Sequence, residues 1–375
     1  MTKVYFYARD AAAAYQDDIV VLADGLQQLG VEVYGNINYW KRSPEKNDWL
    51  LRHDPNIGPS DCDIVAVSYI WSRWINLEFE IDEQSLPAGL FAPKRTYKTA
   101  YLDLDDGYKT CSWQAPYRDF DVVFRAKYNH RCFHPDNHHP WALGINHRML
   151  ECTLAPLNWS ERNNDLLVNF NASHPYLHGA RAAVGPRFIQ SAKSSFNINE
   201  TKDHLTVPPQ GDWDKLMWQQ TQHRHSRSYY DRLCNSKAIV AFCGAFIPPT
   251  PRFPRYLAGG NKARLNRLFH NILAKFSRRP PRLIQWDSWR FWEGLAAGCL
   301  VFNLDLEYYG IKLPVMPKKW EHYIGVHPGN IDESFDRLRA HPKLAEKIAR
   351  QGRNWALAHY TPKPLAQRFL DKLSP

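Results

Sequence analysis

Apolar positions along the chain follow two alternating rhythms. Residues 3–8 form a short apolar run of strand length. In residues 17–29, Ile19, Val20, Leu22, Ala23, Leu26 and Leu29 recur at helical spacing, Gly30 marks the stop, and residues 31–34 read as a strand again. Strands separated by a helix predict a parallel sheet. Further apolar runs at 63–68, 99–104 and 121–125 extend it, so residues 1–145 read as one doubly wound, Rossmann-like α/β domain. Loop signals and a shift in composition from about 144 place a linker at 146–164. A second series follows in 165–360, with strands at 165–171, 238–243, 300–303 and 322–326 and helices at 229–235, 331–338 and 343–359. Pro362 and Pro364 interrupt the pattern before a last helix at 365–373, and the 361–375 segment can cross back to the first domain. The fold class expected is α/β, with two Rossmann-like domains facing across a cleft.

Composition changes this picture in three places. At 375 residues, 44% hydrophobic and 14% aromatic, the chain can bury two ordinary cores and is not a disordered one. No apolar run reaches membrane-spanning length, and the N-terminal residues go straight into a strand, so neither signal peptide nor membrane helix is expected. Seven scattered cysteines without a C-x-x-C pair fit reduced thiols and a cytoplasmic setting.

The net charge of +10 is concentrated. No acidic residue lies between Asp231 and Asp287, while eleven Lys and Arg do, leaving −1 for the rest of the chain. The stretch from Arg252 to Arg282 is therefore a candidate docking element for an anionic partner, either DNA or the inner face of a membrane. Within it, Leu265, Leu268, Phe269, Ile272, Leu273 and Phe276 share one helical face, and Lys262, Arg264, Arg267, His270 and Lys275 fall largely on the rest. That apolar face either packs on the domain core or lies in a membrane interface.

The richest chemistry lies in Asp287-Ser288-Trp289-Arg290-Phe291-Trp292-Glu293-Gly294-Leu295-Ala296-Ala297-Gly298-Cys299, followed by an apolar strand. Asp287 or Ser288 can cap a helix that Gly298 ends. Arg290 and Glu293, three apart, share a face near the helix start, where free amides favour a phosphate. Arg290 and Ser288 then face a diphosphate and Glu293 accepts from ribose hydroxyls. The plain alternative is a capped amphipathic helix with a surface ion pair.

This stretch resembles the donor-binding signature of GT-B glycosyltransferases, exostosin-like ones in particular, Ser-x-Arg-x-x-Glu-Ala-x-x-x-Gly-Cys, with Gly294 in place of the usual alanine. Upstream, Tyr229, Leu233, Ser236 and Lys237 fit the Tyr-x-x-x-Leu-x-x-Ser-Lys unit of the same enzymes, followed by an apolar strand and Gly244, although about forty residues then intervene. The run from Val168 to Arg181 resembles the strand, polar loop and Gly-x-Arg of phage DNA β-glucosyltransferases, which implies that Arg181, with Arg187 next, binds the diphosphate. In Lys98 to Gly107 a strand runs into Asp103, Asp105 and Asp106. Clustered carboxylates at a strand's carboxyl end can supply a base, or form a solvated Asp-Gly turn. The likeness to the phage enzymes aligns Asp105 with the catalytic base, with Asp106 and then Asp10 as substitutes.

His130, Cys132, His134, His138, His139 and His147 cluster, but their spacing fits no zinc pattern, so no metal is expected. Trp71, Trp74 and Trp113 are either core residues or platforms for sugar rings. What the resemblance implies is a metal-independent transferase that needs no cofactor beyond its nucleotide-sugar donor. Gln285 occupies the position where many retaining relatives carry a second glutamate, which tilts the reading towards inversion. The acceptor implied is a bacterial surface glycan or a lipid-linked glycan. DNA carrying a hydroxylated base is the alternative, and a non-catalytic nucleic-acid-binding protein on a GT-B-like scaffold a third.

Overall fold

The computed structural model describes residues 1–10, 15–73, 86–104, 116–170, 178–201, 207–247, 281–284 and 286–373. Asp105, Asp106, Trp74, Trp113, Gln285 and residues 252–280 of the basic stretch lie outside them.

The first half contributes β1 (Lys3–Tyr7), α1 (Asp17–Gln28), β2 (Glu32–Gly35), β3 (Tyr39–Lys41), β4 (Trp49–Leu51), β5 (Ile64–Ser68), α2 (Tyr69–Arg73), β6 (Lys98–Asp103), β7 (Val122–Arg125) and β8 (His138–Pro140). Six of these strands form a parallel sheet in the order β2-β1-β5-β6-β7-β8. Parallel strands covered on both faces must be apolar throughout, and β5 and β7 are buried at every position. The short β3–β4 hairpin and β8 are elements the apolar pattern does not reveal. β3 and β4 are three residues each, and β8 is His-His-Pro, held to β7 by backbone pairing alone.

The segment expected as a linker is ordered structure. Helix α3 (His147–Cys152) is capped by Asn146, whose Oδ1 accepts from the Met149 amide at 2.8 Å, and Met149 is fully buried. Strand β9 (Asn163–Val168) already starts inside that segment. After it come α4 (Gly179–Ala192), β10 (Asn197–Glu200), α5 (Asp212–Gln220), α6 (Arg227–Asn235), β11 (Ser236–Val240), β12 (Ala245–Ile247), β13 (Arg282–Ile284), α7 (Trp289–Ala296), β14 (Leu300–Leu304), β15 (Ile324–Val326), α8 (Ile331–Ala340), α9 (Leu344–Tyr360) and α10 (Pro362–Leu373). The second sheet is also parallel, in the order β10-β9-β11-β14-β15.

Each sheet reverses its direction of growth once, between β1 and β5 in the first and between β9 and β11 in the second. The crevice at the carboxyl ends of the strands beside such a reversal is the natural ligand position of an open α/β sheet. The two halves are pinned together there and nearby. Gln220 exchanges hydrogen bonds with the Lys41 backbone at 2.5 and 3.0 Å. The Asn129 amide group donates to the Tyr309 carbonyl at 2.9 Å, and Lys312 N donates to the Tyr128 carbonyl at 3.0 Å.

Helix α10 begins at Pro362, because proline lacks only an amide that the first helical turn leaves unused. It packs on α1 of the first half, with Phe369 5.2 Å from Phe124. The approach is close enough that a Cβ on Gly25 would sit 2.0 Å from the Pro362 carbonyl oxygen and 2.8 Å from Ala366 Cβ. Gly25→Ala must force the two helices apart and should cost about 1–3 kcal/mol. A urea midpoint equal to that of the wild type would show that α10 does not hold this seat.

Candidate functional site

The site is built on α7. Ser288 stands at its N-cap in an extended conformation (φ −144°, ψ 147°), yet its Oγ is buried and makes no hydrogen bond. Asp287 does not cap either. Its Oδ2 accepts from the Leu143 amide and its Oδ1 from the Trp292 indole, both at 2.7 Å, and burial pushes its pKa up to about 6. Phe291, Trp292, Leu295 and Ala296 are fully buried. Gly294 faces the sheet, where a Cβ would lie 2.6 Å from Ile239 and 2.9 Å from Val301. This explains the glycine at a position where alanine is usual: the helix rests directly on β11 and β14. The last carbonyls are capped by cations. Arg162 donates to the carbonyls of Ala297 (2.8 Å) and Gly298 (3.1 Å), and Arg353 to that of Ala296 (2.9 Å). Positive charge at the C-terminal end suits the helix dipole.

Two of the predicted arginines meet beside the reversal between β9 and β11. Arg290 Nε donates to the Asn169 carbonyl just past β9. Arg181, from the first turn of α4, is buried, donates through Nε to the Phe242 carbonyl at 2.7 Å and lies 5.0 Å over the Phe170 ring. Burial, with the charge of Arg290 adding to it, holds the Arg181 pKa below its usual value. Gly244 (φ +91°) turns the chain after β11, and its carbonyl accepts from the Ala180 amide at 3.0 Å, seating the start of α4. Arg187 does not join this pair. It is exposed, bonded to Asp332 at 2.7 Å and to the Pro328 carbonyl at 3.2 Å, and ties α4 to α8. Two helical turns beyond Arg181 it faces a different neighbour.

Glu293 sits deeper than the start of the helix suggests. His225 Nδ1 at 2.9 Å and Tyr230 OH at 3.0 Å meet its Oε1, and Tyr229 OH at 3.1 Å donates to its Oε2. The surface ion pair with Arg290 is absent, since Arg290 turns to a backbone carbonyl instead.

The first domain brings residues that the sequence reading missed. Asp17 opens α1 and accepts from Tyr15 OH, the Asn146 amide group and the Trp289 indole, each at 2.7 Å. It therefore touches the first residue of α7 directly. Tyr15 lies between Trp40 (5.7 Å) and Trp289 (5.6 Å). Asp18 is buried, both its oxygens lack a well-formed hydrogen bond, and burial raises its pKa to about 7 despite nearby Ser68 and the helix's own amides. An Asp-Asp pair opening a helix after the first strand was the available signal. Asp103, at the end of β6, forms a buried pair with Arg125 at 2.8 Å. Asp10 is exposed.

The histidines have structural partners. His134 stacks on Tyr128 at 3.8 Å, and His138 pairs with the Asn137 side chain at 2.9 Å. Burial, then Arg125, lowers their pKa values to about 4 and about 3. Among the described residues no three His, Cys, Asp or Glu side chains group as metal ligands. Arg282, the last cation of the basic stretch, is buried in β13 and reaches Cys132 Sγ at 3.0 Å, so it belongs to the domain contact and not to a docking surface.

No protein-family model and no curated protein sequence matches the chain. Solved structures do. An alpha-glucosyltransferase in complex with UDP and a 13-mer DNA containing a central A:G mismatch superposes with a TM-score of 0.55 at 10% identity, over 100% of both chains. An alpha-glucosyltransferase in complex with UDP gives 0.54 at 9% identity, again over 100% of both. The fold is GT-B. In GT-B terms, the start of α7 and the Arg181–Arg290 pair lie in the second Rossmann-like domain, and Asp17 and Asp18 in the first, facing it.

Two outcomes follow from this geometry. Glu293→Ala leaves three buried donors without their acceptor and should destabilise the protein by about 2–4 kcal/mol, read from a denaturant midpoint. Asp18 has a folded pKa near 7 against roughly 3.9 unfolded. The folded state keeps a proton that the unfolded chain releases, so the contribution of Asp18 to stability is fully present below about pH 4 and is lost as the pH rises towards 7. Asp18→Asn should remove that slope and raise stability at pH 8 by on the order of 2–4 kcal/mol. A variant no more stable than wild type at pH 8 would show that Asp18 is solvated.

Proposed function

We propose that this chain is a nucleotide-sugar-dependent glycosyltransferase whose second domain binds the donor diphosphate between Arg181, Arg290 and the N-terminal amides of α7. The observation that carries the reading is the convergence of two guanidinium groups, from α4 and α7, on the carboxyl ends of β9 and β11. Two cations held together repel each other and favour an anion between them, and Arg binds phosphate in a bidentate way. The unbonded Ser288 Oγ beside them is a further donor to such a group. The GT-B fold, with UDP bound in both structural neighbours, supports the reading. These positive groups would stabilise the leaving diphosphate as the sugar departs, without a metal ion.

The acceptor hydroxyl would lose its proton to Asp105 in a single inverting displacement. Asp18 is a second candidate in the first domain, since a buried carboxyl titrating near neutrality, beside Ser68 at the end of β5, suits proton transfer. For the acceptor, a surface or lipid-linked glycan is the first reading, with the basic stretch resting on an anionic membrane surface. Among the described residues no helix is long and apolar enough to cross a membrane. DNA is the second reading, favoured by the DNA in one neighbour and by the cations of the basic stretch from Arg252 to Arg279.

Calorimetry with UDP, GDP and ADP tests the core of this. One of them should bind, and Arg181→Ala or Arg290→Ala should weaken it by about 1.5–3 kcal/mol. No binding of any nucleotide by the wild type would sink the transferase reading and leave a nucleic-acid-binding protein on a GT-B scaffold. Asp105→Asn should abolish transfer with donor affinity unchanged, and normal turnover in that variant would move the base to Asp18, Asp106 or Asp10. EDTA should not inhibit. Duplex DNA binding that falls steeply with salt would favour the DNA acceptor, and binding to anionic but not neutral liposomes the lipid-linked one.

A further inference from the structure

Glu293 and His225 divide between them the task that the sequence suggests for Glu293 alone. The carboxylate already meets His225, Tyr229 and Tyr230, and both its side chain and the His225 ring are buried, at 6% and 1% exposure. A ligand hydroxyl seeking Glu293 would have to displace one of three protein partners. His225 offers what Glu293 lacks. Its Nδ1 lies 2.9 Å from a carboxylate oxygen. A carboxylate only accepts, so this contact puts a proton on Nδ1, and in the neutral ring it leaves a lone pair on Nε2. Nε2 is buried and has no hydrogen-bond partner.

Two further features point to a ligand. The His225 backbone is left-handed (φ +54°), a conformation that non-glycine residues hold only when their surroundings enforce it and that gathers at functional sites. The ring stands edge-on to Trp289 at 5.3 Å and to Tyr15 at 5.6 Å, so it touches both the first residue of α7 and the opposite domain.

We propose that His225 Nε2 accepts a hydrogen bond from a hydroxyl of the bound nucleotide sugar, and that Glu293 acts behind it by fixing the ring and its tautomer. The inference rests on the donor-site reading above. The hydroxyl belongs either to the nucleotide ribose or to the transferred sugar, and both present the same donor.

His225→Asn separates this role from a structural one. Asparagine tolerates the left-handed backbone, and its amide can replace Nδ1–H towards Glu293, but it puts nothing at Nε2. Calorimetry on the full chain with UDP, 2′-deoxy-UDP, 3′-deoxy-UDP and UDP-glucose gives the readout. For a ribose hydroxyl, the wild type should bind one of the deoxy nucleotides about tenfold more weakly than UDP, and the variant should bind it and UDP alike. For a hydroxyl of the transferred sugar, the variant should lose about tenfold for UDP-glucose and nothing for UDP. The thermal midpoint of the variant should stay close to that of the wild type. Wild-type affinity of His225→Asn for both UDP and UDP-glucose overturns the proposal while leaving the donor site standing. Failure of the wild type to bind UDP, GDP or ADP overturns both.

Discussion

Helix α7 is the member on which the rest of the molecule depends, because it is buried from Phe291 to Ala296 and its ends are treated differently. Its carbonyls are capped by Arg162, from the segment before β9, and by Arg353 on α9. Its amide end faces the other domain, with Ser288 Oγ unbonded beside it. Every turn holds something else in place. Asp287 secures the backbone at Leu143, Trp289 reaches Asp17, Arg290 holds the end of β9, Glu293 gathers His225, Tyr229 and Tyr230, and Gly294 lies on the sheet. A helix so placed fixes the distance between the two sheets and leaves the positive end of its dipole at their junction.

The junction is electrostatically divided. The second domain brings guanidinium groups, Arg181 and Arg290, close enough for their charges to repel. The first brings buried carboxyls, Asp17 and Asp18, and burial makes ionising Asp18 costly. Neither arrangement helps a protein fold. Buried groups whose charge is disfavoured are kept in sites where a ligand or a proton completes them.

Other residues that look functional in one dimension have protein partners in the fold. His134 and His138 are neutral core groups beside Arg125, Arg187 braces α4 against α8, and Arg282 reaches across to Cys132. A residue type shows the chemistry it can do, while its neighbours decide whether that capacity is already used. Asp103 is the plainest case, since Arg125 on the adjacent strand takes its carboxylate.

The alternation of apolar runs and helical spacing made the inner strands of the two parallel sheets legible, because strands buried on both faces and helices covering them leave no other pattern, whereas the more polar edge strands β8 and β10 escaped it. The α7 signature was legible for the same local reason: cap, charge, glycine and strand all fall within one short stretch. Elements of three residues, such as β3 and β4, were not legible, since their backbone pairing needs no apolar period. Nor was the partition of roles at the site. Glu293 and His225 are 68 positions apart, and Asp17 and Trp289 are 272 apart. Only the fold brings these groups within hydrogen-bonding distance, and only then does it become visible that the glutamate is occupied and the histidine nitrogen beside it is not.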